Sequence, residues 1–337
     1  MGNVFVGHRA VAAGRLTRHE LQRWYRPIYR GVYVPKRHEP SLRDRTVGAL
    51  LTCRQRAVVS GIAASALHGA RWIDADTPIE LIAPSARPQS GLLVRNERLA
   101  EDEITRVAGI PVTTPARTAY DIGRHLHREA AVARLDALMY ATPFSVEDVL
   151  LLAKRYPGAR GLRRLRAVLP IVDGGAASPK ETWLRLLLID AGLPRPVTQI
   201  PVVDGWRLVR LLDMGWEDLK VAAEYDGDQH RTNRKQYVKD IRCQPKLQRL
   251  GWIVVRVIAE DRKDDIIARV SDALSRLGIN EIDVLQNPSR SLSAECRSRR
   301  NNGATCHSVG AGNPLIGGRA TDGLFHTLTM CHPSITN

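Results

Sequence analysis

The chain has 337 residues and a mass of 37.4 kDa, with 44% hydrophobic and 25% charged residues, a balance that excludes global disorder and a coiled-coil rod. No apolar run approaches the ~18 residues of a membrane-spanning helix, and the opening MGNVFVGHRA lacks the apolar core of a secretory signal, so a cytoplasmic protein is expected. The net charge of +15 is unevenly spread: residues 1–175 hold 27 basic and 16 acidic residues, 176–286 hold 18 and 17, and 287–337 hold 5 and 2. A basic first half suits a polyanion partner, because neutralising phosphates releases counterions. The 42 Arg against 8 Lys reflect GC-rich coding, but that bias does not explain why the halves differ. Five cysteines, at 53, 243, 296, 306 and 331, form no C-x-x-C pair and make neither a disulfide framework nor a zinc site.

In chain order, His8–Ala13 predicts a short helix ended by Gly14. Thr17 followed by Glu20 is a capping box for a second helix running to about Trp24. Pro27 blocks its continuation, and Ile28–Val34 (IYRGVYV) reads as a short hairpin. Helix, turn, helix and wing is a winged-helix pattern over 1–38. Arg15, Arg18, Arg23, Arg26 and Arg30 lie around its second helix and wing. This predicts DNA binding; the alternative is a helical hairpin with a solvated basic face.

Residues 39–170 read as a mixed helical and short-strand region. Ser60 is a cap candidate for GIAASALHGARW, with His68 in the packing. Short strands follow in IELIAP, LLVRN and EITRVAGIPVT. Thr114-Pro115 then opens ARTAYDIGRHL, with more helices to about Leu169. Residues 171–177 have linker composition.

The last folded region spans 178–284. Ser178-Pro179-Lys180-Glu181 opens a helix stopped by Gly192. Strands are predicted at 196–203, 206–214 and 220–226, a helix over Lys235–Leu250, a strand at 251–258 and a helix at 263–277. The order implies a mixed sheet with helices on both faces, an α/β (α+β overall) chain. Residues 285–337 read as a disordered tail.

The acids of the second and third strands carry the chemistry. A short loop near Trp216–Leu219 sets Asp213 opposite Ala223 or Glu224, about 5 Å apart at Cβ. Asp226 lies two residues beyond Glu224, then come the turn at Gly227, His230 and, later, Asp240. Clustered carboxylates are costly unless one is protonated or a divalent cation joins them. Oxygen ligands without thiolates favour Mg²⁺ or Mn²⁺, which polarise a phosphoryl oxygen and activate water, with His230 as a proton carrier. Glu181 is equally a cap and a candidate for catalysis. Asp226 also fits a simple turn, and Asp240 a helix N-terminal acid.

The segments LLDMGWEDLKVAAEYDGDQH and KDIRCQPKLQRLGWIVVRV resemble the domain-of-unknown-function 559 family, related to very-short-patch-repair endonucleases and the PD-(D/E)XK superfamily. The resemblance covers about 178–278 and implies an αβββαβ restriction-endonuclease-like core. It implies Asp213 and Glu224 as metal acids with the Tyr225 carbonyl, Asp226 at the usual lysine position, and Glu181 as the helix acid. It places His230 and Asp240 along the site. The missing lysine departs from the pattern, and Pro245 would kink the helix that carries Asp240. RGVYVP and PVTTPARTAYD, shorter motifs, are similar to AbiEi-type antitoxins of toxin–antitoxin systems, which implies a winged helix that binds DNA and a protein partner in such a system or in phage defence. The combined expectation is a metal-dependent DNA endonuclease with an N-terminal DNA-binding region. The alternative is a non-catalytic DNA-binding regulator with a degenerate nuclease fold.

Overall fold

Strand β1 (Phe5–Val6), helices α1 (Gly7–Ala12) and α2 (Arg18–Trp24), and strands β2 (Tyr25–Tyr29) and β3 (Val32–Pro35) open the chain in a computed structural model. The structure describes residues 4–53, 57–84, 89–227 and 243–276. Residues Met1–Asn287 fall in one compact unit; Pro288–Asn337, most of the expected tail, lie outside the described residues. The three strands form an antiparallel sheet in the order β1-β3-β2. This is the winged-helix element order. The capping box is present: Thr17 Oγ1 accepts the Glu20 N–H at 3.1 Å, and the Glu20 carboxylate accepts the Thr17 N–H at 2.7 Å. The hairpin is longer than the sequence suggested, because β2 starts at Tyr25. Pro27 sits inside it without breaking the ladder, since β2 is an edge strand with a register shift between Pro27 and Tyr29. Gly31, at φ +77°, makes the turn.

Helix α3 (Leu42–Thr52), capped by Ser41 and Asp44, packs on that wing. It leads to a mixed five-stranded sheet of β4 (Val58–Val59), β5 (Ile79–Ile82), β6 (Leu92–Arg95), β7 (Ile104–Val107) and β8 (Ile110–Thr113), ordered β6-β5-β4-β8-β7. Helix α4 spans Gly61–Leu67, shorter than expected, and the Ser60 side chain makes no cap. Glu80 on β5 does that work: its carboxylate accepts the Ile62 N–H at 3.2 Å, placing an anion at the helix N-terminus. His68 donates its Nε2–H to the Thr113 carbonyl, 2.8 Å away, a packing role as expected.

Helices α5 (Pro115–His125), α6 (Arg128–Ala141), α7 (Val146–Arg155) and α8 (Leu162–Val168) bury Ile122, Leu135, Leu138 and Leu165 in a common core. Helix α9 (Pro179–Asp190) is apolar on two sides, so it is covered on both. Leu186 enters the helical core, while Leu184 and Leu188 enter the core of the last sheet. Fully buried Arg185 pairs with Asp136 of α6 at 2.7 Å and donates to the Ile171 carbonyl at 2.7 Å. The expected linker, 171–177, is consequently a hydrogen-bonded corner: the Asp173 N–H donates to Asp136, and Thr198 donates to Asp173.

Strands β9 (Val197–Asp204), β10 (Arg207–Trp216) and β11 (Val221–Tyr225) run antiparallel in sequence. A helix over 243–249 follows, then β12 (Ile253–Val257), parallel to β11, and α10 (Lys263–Ser275). The order β12-β11-β10-β9 is the expected mixed sheet. Residues 235–242 of the expected crossover helix lie outside the described residues, and Pro245 sits within the helical run 243–249 without interrupting it. Gly215 permits the close β10–β11 approach: a Cβ there would lie 2.2 Å from the Val221 carbonyl oxygen. No helix among the described residues is long and apolar enough to cross a membrane.

Candidate functional site: a carboxylate cluster and a basic helix

The β10–β11 register pairs Met214 with Ala223, which sets Asp213 against Glu224 one step on. On its other side Asp213 lies between the pairs Leu212–Ile200 and Met214–Thr198, opposite Gln199. The two carboxylates are cross-strand neighbours. The N-terminal turn of α9 brings in Glu181 from beneath: burial first, then the charges of Glu181 and Glu224, push the Asp213 carboxyl up to about 7, against the Tyr225 N–H and the Arg210 charge. Three acids that are remote in sequence thus share one electrostatic site.

Each acid has a partner. Asp213 accepts the Tyr225 N–H at 3.0 Å. Buried Glu224 is clamped by Arg210, with Nε to Oε1 at 2.6 Å and Nη2 to Oε2 at 3.0 Å. Glu181 accepts the Ala177 N–H at 2.8 Å, while its own N–H donates to Ser178 at 3.2 Å. Glu181 is therefore both a cap and a member of the cluster, and burial pushes its carboxyl upward against those hydrogen bonds. Tyr225 packs its ring edge-on to Trp183 with Lys180 above it. Asp226 donates its backbone N–H to the Val257 carbonyl at 2.7 Å, and its carboxylate makes no bond among the described residues. His230 and Asp240 lie outside the described residues.

The donor chemistry, three hard carboxylates with one near neutrality, suits a divalent cation. The geometry suits it less: Arg210 takes both Glu224 oxygens, and no group of three His, Cys, Asp or Glu among the described residues is arranged to hold a metal. The like-charge cost is met here by a cationic clamp on Glu224, a raised carboxyl on Asp213 and backbone N–H groups.

Two participants escaped the sequence reading. Arg210 was indistinguishable from a solvent-facing strand residue. A register shift between Leu208 and Arg210, a bulge at Val209, accompanies its placement on Glu224. Gln199 adopts φ +54° inside β9, where left-handed backbone is unfavourable, and its Nε2 reaches Glu181 at 3.4 Å.

The second site is α2. None of its residues is buried, and Arg15, Arg18, Arg23 and Arg30 are all exposed. Residues 1–38 hold eight Lys and Arg against the single acid Glu20. Arg23 stacks over Trp24, which is 56% exposed. Arg26 does not belong to this set: it is half-buried and tied to the His38 carbonyl and to Glu39 at 3.0 Å.

The PARTAYD motif is a third centre. Thr114 caps α5 by accepting the Arg117 N–H at 3.3 Å. The Arg117 side chain, 1% exposed, bonds Glu103, the Arg98 carbonyl at 3.0 Å and Asp121 at 3.1 Å. The available signal was the spacing of Arg117, Asp121 and Arg124, a charged stripe on one helix face where a core is expected.

Residues 43–171 match the family model described as the AbiEi antitoxin C-terminal domain. Two curated proteins of Mycobacterium tuberculosis, uncharacterized protein MT2308 (strain CDC 1551 / Oshkosh) and uncharacterized protein Rv2248 (strain ATCC 25618 / H37Rv), are each 31% identical over 256 residues. The match covers 74% of this chain and 92% of either relative. No solved structure matches the chain.

Proposed function

The chain belongs to the family of these two mycobacterial proteins, and from that premise we propose that it is a DNA-binding regulator of the antitoxin type. The observation that carries this reading is α2, a capped helix with no buried residue that exposes Arg18 and Arg23. A helix of this width fits the major groove, about 12 Å wide, where Arg18 and Arg23 would meet the phosphates along the groove edge. Arg15 at its start and Arg30 on the wing are placed to meet flanking phosphates, which fix register without reading sequence. The antitoxin-type domain behind it supports a protein partner within a toxin–antitoxin system. The test is duplex binding by fluorescence anisotropy in EDTA. Arg18→Ala/Arg23→Ala is expected to weaken binding by at least about tenfold; equal affinity would remove α2 from the account.

A second reading, metal-dependent phosphodiester hydrolysis, is favoured by the geometry of the cross-strand pair Asp213–Glu224 beside Glu181, where burial first, then the charges of Glu181 and Glu224, push the Asp213 carboxyl up to about 7. Asp213, Glu224 and the Tyr225 carbonyl would hold Mg²⁺ or Mn²⁺, with Glu181 beside them. The ion would supply charge stabilisation and an activated water. Because Arg210 holds both Glu224 oxygens, this reading requires Glu224 to change partners. Calorimetric Mg²⁺ or Mn²⁺ titration with a parallel plasmid-nicking assay tests it. Binding and nicking that both disappear in Asp213→Ala/Glu224→Ala support it; neither in the wild type ends it.

A further inference from the structure

Between the end of β6, the outer face of α5 and the turn after α7 lies a cleft of about 770 Å³ that neither reading uses. Its size falls within the range of about 300–1,000 Å³ typical of small-molecule sites. Arg95, Arg98, Arg117, Arg124, Arg155 and Arg160 line it, and Glu97 is the one acid among the lining residues. The apolar part of the wall comes from Val94, Tyr156, Pro157 and Ala159.

The inner arginines are held by acids behind them. Arg117 bonds Glu103 and Asp121, Arg124 bonds Asp121 at 3.0 Å, and Arg95 bonds Glu80 at 2.9 Å. The rim differs. Arg98 and Arg160 are exposed, and neither side chain has an ion pair among the described residues. Two lining residues, each at least 97% buried, also keep unpartnered polar atoms: Arg124 Nε and Tyr120 Oη. Buried donors of this kind are uncommon unless something else pairs with them.

The walls of the cleft are tied to one another. Arg124 donates to the Arg160 carbonyl at 2.9 Å, which ties the 157–161 turn to α5. Gly161, at φ +86°, presses against the same helix, where a Cβ would lie 2.3 Å from the Arg124 carbonyl oxygen. Glu97 bridges Arg117, Arg124 and His125. Burial opposes its ionisation, but the His125 hydrogen bond and the Arg124 and His125 charges hold its carboxyl down to about 2. It is a fixed anion sitting where the guanidinium groups gather.

We propose that this cleft binds a nucleoside 5′-phosphate, with the phosphate on Arg98, Arg160 and Arg124 and the nucleoside along the Tyr156–Ala159 wall. Guanidinium groups match phosphate oxygens in pairs, and two uncommitted ones beside a third with a spare N–H make a phosphate site rather than a single ion pair. A free nucleotide and a phosphorylated strand end share this chemistry.

The test is calorimetry on the full chain with AMP, GMP, a 5′-phosphorylated dinucleotide, inorganic phosphate and adenosine. The variants are Arg98→Ala/Arg160→Ala, whose exposed side chains hold no hydrogen bond or ion pair among the described residues, and Arg18→Ala/Arg23→Ala as a control for the basic helix. The expected result is nucleotide binding at least about tenfold tighter than inorganic phosphate, weakened at least about tenfold in Arg98→Ala/Arg160→Ala and unchanged in the control. A mononucleotide preference assigns the site to free nucleotide, and a dinucleotide preference assigns it to a strand end; both support the proposal. No binding of any nucleotide, equal binding of adenosine, or full affinity in Arg98→Ala/Arg160→Ala overturns it.

Discussion

Two regions of this protein bury charge, and they do it in opposite ways. Around Arg117, one buried guanidinium meets Glu97, Glu103 and Asp121, and each of these carboxylates is shared with a further arginine, Arg124 or Arg155. Around Asp213, three carboxylates gather and Arg210 clamps Glu224. A network that alternates in sign fixes a fold, because each desolvated charge is paired. A cluster of one sign does not lower the energy of the fold by itself: burial first, then the charges of Glu181 and Glu224, raise the Asp213 carboxyl. The contrast separates a charge-balanced centre from one of a single sign.

The largest expected effect breaks the balanced side. Arg117→Met removes the buried guanidinium that Glu103 and Asp121 share, leaving them Arg155 and Arg124, and a loss of about 3–5 kcal/mol is expected in urea unfolding; a cost under ~1 kcal/mol would show that the network is incidental. The opposite sign is expected at the cluster. An unfolded aspartate titrates near ~3.9 and folded Asp213 near about 7, so the folded state holds the extra proton between those values. Stability contributed by this group therefore falls as pH rises from about 4 to about 7 and levels off above. Asp213→Asn removes that slope and is expected to gain roughly 1–3 kcal/mol at pH 8, with little change at pH 4, in thermal melts at the two pH values. Substitution at the helix cap is smaller: Thr17→Ala removes the Glu20 N–H acceptor and is expected to cost about 1 kcal/mol. Smallest is Arg18→Ala, exposed and without a side-chain bond among the described residues, expected to change stability by under ~0.5 kcal/mol. A large loss there would make α2 structural and undercut its role as a surface for DNA.

What could be read from the sequence depended on the range of the cause. Thr17 with Glu20, and Gly31 in the hairpin, act within a few residues, so the winged-helix order was legible. The Asp213–Glu224 pairing was legible as well, because a short loop fixes antiparallel register. Long-range causes were hidden. Ser60 looked like the cap of α4, but the anion comes from Glu80 on a neighbouring strand. The glycine-rich 171–177 looked like free linker, but Asp136, far back in the chain, anchors it. The Arg210 clamp depends on a bulge that leaves no mark in the residue pattern. Of the two family resemblances, the antitoxin one rested on shorter motifs, yet Arg117 and Asp121 of PARTAYD hold the centre of the region that the family model matches.

The most direct test of the DNA-binding account is the salt dependence of duplex affinity, measured in EDTA for wild type and Arg18→Ala/Arg23→Ala. Four arginine–phosphate contacts predict a slope of log K against log salt of about −3.6, and loss of two predicts about −1.8. A wild-type slope near zero, or one that the double substitution leaves unchanged, would contradict a DNA-binding surface built on Arg15, Arg18, Arg23 and Arg30.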